Sequence, residues 1–147
     1  SVGNAQQFGG ATPFSEQTET WGWVVDPVND RPALDESESP RLPDIYGNIL
    51  SQYNRGQSVS NLVQGQITDI DGDACGIGVI SVIETSGVWE YSTDNGSTWR
   101  PLTGVRYNHA RLLGPAARVR FMPEPNFSGS VSNGVHFVAW DQTSGAN

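Results

Sequence analysis

Residues 87–102, GVWEYSTDNGSTWRPL, constrain the fold more tightly than any other stretch of the chain. Trp89 and Tyr91 alternate with Glu90 and Ser92, which is the two-residue period of a strand with one face turned inward. Asp94-Asn95-Gly96 then breaks the alternation with a hairpin signal, because Asn-Gly tolerates the positive φ that such turns require. Residues 97–102 return as a partner strand carrying Trp99.

Other segments repeat the theme. Residues 76–84 (GIGVISVIE) are apolar and β-branched. Their apolar positions, Ile77, Val79, Ile80, Val82 and Ile83, switch parity midway, which predicts a bulge or a strand buried on both faces. Residues 117–122 alternate Val119 and Phe121 inward against Arg118 and Arg120 outward. Residues 134–141 (GVHFVAWD) set Val135, Phe137 and Ala139 opposite His136, Val138 and Trp140. Residues 16–26 (EQTETWGWVVD) form another strand candidate, with Trp21, Trp23 and Val25 on one face and Val24 on the other. Residues 45–61 are ambiguous between a weak strand and a short helical turn, and no segment carries a helical stripe. The 17 Gly and 9 Pro favour turns over helices. Short strands separated by turn signals predict an all-β sandwich, with Trp89 and Phe121 buried between its sheets.

Charge narrows the function classes. Sixteen acidic residues face eight basic ones, all Arg, for a net charge of −8. That balance opposes nucleic acid, whose recognition demands clustered cations, and suits divalent cations or a soluble polymer. No apolar run approaches the roughly 20 residues of a membrane-spanning helix, so no membrane insertion is expected.

Individual residues then carry the candidate chemistry. Asp69, Asp71 and Asp73 (TDIDGDACG) place three carboxylates two residues apart around Gly72, and hard oxygen donors on a loop suit Ca²⁺. The competing reading is an acidic turn with no ion. Cys75, the single cysteine, is expected to be a buried thiol that behaves as a small hydrophobe. His109 and His136 have neither triad partners nor a second His at metal spacing, and no carboxylate pair suggests acid/base work, so the chain reads as non-enzymatic. Asn95-Gly96-Ser97 and Asn126-Phe127-Ser128 are N-glycosylation sequons in predicted turns. The aromatics could form a sugar-stacking platform, although alternation makes core packing the default for most of them. Trp21 and Trp23 are the pair expected to be exposed or to face a partner.

The linker VNDRP (28–32) resembles the boundary between cadherin-like repeats of bacterial giant adhesins. ITDIDGDACGIGV, GVWEYSTDNGSTW, ARLLGPAARVRFMPEPNFSG and FVAWDQTSGAN follow the order and spacing of one such repeat, over about residues 28–147. The resemblance implies an Ig-like or cadherin-like Greek-key sandwich of about seven strands, located at the cell surface or outside the cell. It also implies calcium at the junctions between repeats. Asp141 of AWDQTSG is similar to the A-x-D-x-G ligand motif of cadherins, and Asn29 with Asp30 to the linker ligands. Arg31 departs from the usual linker, and the acidic stretch early in the repeat is reduced to Asp44.

The same resemblance makes the order of segments informative. In the family the AWDQTSG strand leads through a Gly-rich loop and a T-x-F-S stretch into the last strand. Here Thr12-Pro13-Phe14-Ser15 and the strand at 16–26 precede the linker instead. The implied organisation is residues 1–26 as a loop and last strand belonging to a preceding repeat, 27–44 as linker, and 45–147 as a sandwich lacking its own last strand. The N-terminal strand could belong to a longer polymer, swap into a neighbouring chain, or fold back as in a circular permutant. Completion of a neighbour is the favoured expectation, with Trp21, Trp23, Val24 and Val25 as partner-facing residues. The partners are thus identical repeats or subunits, and a glycan-binding module on the same fold is the alternative.

Overall fold

The computed structural model describes residues 18–143. Among them the chain runs β1 (Ala33–Leu34), β2 (Gln57–Ser58), α1 (Val59–Leu62), β3 (Ile67–Thr68), β4 (Gly76–Val82), β5 (Gly87–Ser92), β6 (Arg100–Pro101), β7 (Arg111–Leu113), β8 (Arg118–Pro123) and β9 (Val135–Trp140). The protein is all-β, and α1 is a single turn capped by the Ser58 hydroxyl, which accepts the Asn61 N–H at 3.3 Å. Residues 45–61 thereby resolve into both of their expected alternatives, a short strand followed by a helical turn.

Two antiparallel sheets carry the fold: a four-stranded one in the order β2-β8-β5-β6 and a three-stranded one in the order β7-β4-β9. Strands β1 and β3 form a separate two-stranded ribbon. Ile77 and Val79 of β4 and Leu113 of β7 join Trp89 and Tyr91 of β5 and Val119 and Phe121 of β8 in one buried cluster, which is what makes the two sheets a sandwich. Trp89 and Phe121 sit directly opposite each other on β5 and β8, with ring centroids 5.0 Å apart and planes tilted by 51°. The Trp89 indole N–H donates to the Ile83 carbonyl at 3.1 Å, beyond the end of β4. A Cβ at Gly134 would collide with that indole, so the residue before β9 must be glycine.

The parity switch in β4 has a direct cause. Its pairing with β9 steps from Val79↔Phe137 to Ser81↔His136, leaving Ile80 as an extra residue, a β-bulge. Val79 is fully buried before the bulge, and Val82 turns back toward the core after it. In the hairpin turn Asn95 and Gly96 take φ of 58° and 87°.

The structure corrects one expectation, the return strand, and adds detail to three others. The return strand at 97–102 contracts to β6, although Leu102 is still buried and its N–H donates to the Trp89 carbonyl at 2.8 Å. Arg120 does face away from the sandwich core, yet only 4% of it is exposed. Its guanidinium pairs with Glu90 at 2.6–2.7 Å, donates to the Ser51 and Asn54 carbonyls at 2.9 and 3.0 Å, and stacks 4.0 Å from the Trp99 ring. Residues 50–55 lie over this face of the sheet because their carbonyls need donors, and Arg120 supplies them. The linker is tied down in part, since Ala33–Leu34 pair with Ile67 and Thr68. Finally, residues 18–26 form no strand within their own chain, and residues 18–30 are exposed throughout. The T-P-F-S segment and residues 16, 17 and 144–147 lie outside the described residues.

Candidate functional site

The end of the sandwich where β4 begins and β9 ends gathers most of the candidate ligands. The pairing Gly76↔Trp140 sets residues 73–75 beside 141–142, and the Gln142 side-chain amide donates to the Ala74 carbonyl. Asp69 follows β3 and opens a tight turn: its Oδ1 accepts the Asp71 N–H at 2.8 Å, and its carbonyl accepts the Gly72 N–H at 3.3 Å. The linker then closes over this end. Asn29 donates to Asp141 Oδ2 at 2.8 Å, across 112 positions of sequence, and the Asp30 N–H donates to Asp71 Oδ2 at 2.7 Å. Asn29, Asp30, Asp69, Asp71 and Asp141 are thus linked through one chain of hydrogen bonds by way of the linker, the acidic turn and the end of β9.

Electrostatics bring Asp73 into the same group. Burial pushes the Cys75 thiol above its ordinary value, and the charges of Asp69, Asp141 and Asp73 push it further. Cys75 is half-buried, less enclosed than expected, and its Sγ donates to the Asp73 carbonyl at 3.4 Å. Asp141 is held below the usual carboxylate range, first by the Thr143 N–H, then by the Asn29 amide and the Thr143 hydroxyl. Thr143 donates to Asp141 Oδ1 through its N–H at 3.0 Å and its hydroxyl at 2.8 Å.

The acidic turn is not self-sufficient. Asp69 Oδ2 is buried and has no hydrogen-bond partner. None of Asp30, Asp69, Asp71, Asp73 and Asp141 makes an ion pair among the described residues. A cleft of about 300 Å³ runs beside this turn, lined by Asp69, Asp73, Cys75, Val63, Ile67 and Pro115. Such carboxylate, amide and hydroxyl oxygens fit a hard cation better than a soft one. No three acidic, His or Cys side chains among the described residues are already drawn together as a metal cluster, and Asn29 instead bridges to Asp141 through its amide.

The partner-facing candidates precede the linker. Trp21, Trp23, Val24 and Val25 are 86–89% exposed, a row of large apolar side chains left uncovered by the described residues. β9 pairs with β4 alone, so its other edge is open among the described residues. Its inward side chains Val135 and Phe137 are only half-buried against the core. Asn95 and Asn126, the sequon acceptors, are exposed in turns with φ of 58° and 64°. His109 and His136 are exposed.

Thr143 was not among the expected site residues, although D-x-T at 141–143 is the pattern by which a carboxylate caps its own turn. Compared with protein families, curated proteins and solved structures, the chain matches none.

Proposed function

We propose that the chain is a non-enzymatic structural repeat of an extracellular fibre or adhesin, a cadherin-like Greek-key sandwich that assembles end to end by strand complementation. The carrying observation is a pair of surfaces unmet among the described residues: an apolar, β-prone segment at 18–26 with no strand partner, and an open edge on β9. Geometry favours a neighbour as the acceptor. Asn29 is tied beside the C-terminal end of β9, so residues 18–26 folded back along that strand would run parallel to it, in a sheet whose pairs are antiparallel. On the next copy the same segment adds antiparallel to β9, and Trp21 and Trp23 are covered.

Calcium stiffens the junction in this reading. Asp69, Asp71, Asp73 and Asp141, with Asn29 and Asp30 from the linker, would hold the ion. Its chemistry there is charge neutralisation and the satisfaction of oxygens such as Asp69 Oδ2. Light scattering of the 147-residue chain against a chain lacking residues 1–26 tests the assembly. The full chain should form oligomers that lengthen with concentration, while the shortened one stays monomeric and melts at a lower temperature. Equal assembly by both chains would refute strand complementation. The glycan-binding alternative draws separate support from a groove beside Trp99.

A further inference from the structure

A groove of about 670 Å³ lies between residues 51–55 and the 95–99 turn, with Arg118 and Arg120 of β8 lining it. Arg55, Arg118 and Arg120 all line it, three of the eight basic residues of a chain with net charge −8, and no carboxylate does. We propose that this groove binds an acidic saccharide, a sugar ring bearing carboxylate or sulfate.

Both walls are built rather than loose. The buried Asn54 amide donates to the Phe121 carbonyl at 2.7 Å, and Arg120 ties the Ser51 and Asn54 carbonyls. Gly56, at φ +57°, approaches the Val119 carbonyl so closely that a Cβ would collide with it. The opposite wall is held by Asp94, which accepts from the Ser92 hydroxyl at 2.7 Å and from Thr98 at 2.6 and 2.8 Å. Two carboxylates bonded to residues of the groove's walls are therefore spoken for: Asp94 by its own turn and Glu90 by Arg120.

Among the described residues the remaining cations are paired with no carboxylate. Arg118 donates to the Arg55 and Gly56 carbonyls at 2.9 and 3.2 Å, which orients the guanidinium and leaves further N–H groups of its fork unused. Arg55 is exposed and pairs with no carboxylate among the described residues. An anion held between two guanidiniums gains charge-assisted hydrogen bonds. The half-buried Trp99 indole and the amides of Gln52 and Asn95 suit a sugar ring with its hydroxyls. Nucleic acid does not fit, because two unpaired cations cannot offset the repulsion of so acidic a chain.

Calorimetric titration of the unglycosylated chain, with Asn95 unmodified, tests the proposal. The probes are an oligogalacturonate, a chondroitin sulfate oligosaccharide, an uncharged malto-oligosaccharide and an oligoglutamate peptide. One or both acidic sugars should bind, which also separates carboxylate from sulfate, while the uncharged sugar and the peptide should not. Arg55→Ala and Arg118→Gln should each weaken binding about tenfold or more, and added salt should weaken it further. Arg55 is exposed, so its replacement leaves the fold intact, and an unchanged melting curve checks that. Equal affinity for the uncharged sugar or the peptide, indifference to Arg55→Ala, or no binding by either acidic sugar overturns the proposal. None of these results bears on strand complementation.

Discussion

Two acidic turns in this protein solve the same problem in opposite ways. At Asp94 both carboxylate oxygens are met by donors of the turn itself, and the Thr98 and Ser92 hydroxyls with the Thr98 N–H pull its pKa down to about 2. At Asp69 one oxygen serves the turn while the other is buried without a partner among the described residues, amid carboxylates that none of those residues' cations pairs with. The first turn is complete as folded. The second is built of the same residue types yet leaves negative charge and an acceptor unmet, which is the condition under which a protein gains from an external cation.

The largest expected effect removes the scaffold that both turns share. Trp89→Ala should cost about 3–5 kcal/mol in urea or thermal unfolding, because the indole fills the core against Phe121 and its N–H holds Ile83. Both turns should loosen together; survival of either as a separate cooperative unit would break the comparison at its root.

Glu90 shows a third solution, a carboxylate matched by a buried guanidinium. Arg120→Ala should cost about 3 kcal/mol, since it strands Glu90 and the carbonyls of residues 51 and 54. A cost close to zero would mean that residues 50–55 repack over the sheet without the arginine.

The comparison itself is tested by metal. Calcium at a hundredfold excess over its Kd should add about 2.7 kcal/mol to stability, read as a rise in Tm that chelator reverses. Asp69→Asn should abolish that increment and Asp94→Asn should leave it whole. A Tm indifferent to both calcium and chelator would place the two turns in the same class.

The smallest effect is a pH dependence. The Asp94 pKa falls from 3.8 unfolded to about 2 folded, so its contribution is fully present above the unfolded value. That contribution is lost as pH drops from 3.8 toward about 2. Asp141, also lowered, acts in the same direction. Acid titration of stability should be shallower in Asp94→Asn than in the parent, and an identical slope would show that the turn's hydrogen bonds do not depend on the charge.

How much of this was legible in the sequence follows from the range of the interactions. Strands β4, β5, β8 and β9 could be read from local periodicity, and the β4 bulge from a single change of parity at Ile80. The Asn95-Gly96 turn carried its own backbone signal. Arg120 could not be placed, because an alternating pattern says which face a residue takes but not that an aperiodic loop will cover that face. Asn29 beside Asp141 depends on topology across 112 positions, and resemblance alone suggested the pair. Residues 16–26 have a strand's alternation, but a strand also needs a partner's backbone, and the described part of this segment has none among the described residues.

The linker contacts have a mechanical consequence. Among the described residues, tension applied at residue 18 meets its first ties at Asn29 and Asp30, then the two-residue ribbon of β1 with β3. These are few hydrogen bonds, stressed one after another in the manner of a zip, whereas the β4–β9 and β5–β8 ladders lie further along the chain behind them. Each residue peeled away adds up to about 3.5 Å of slack. A chain stretched from residue 18 would lengthen at this linker and dissipate a sudden jerk there, before its sandwich is asked to open.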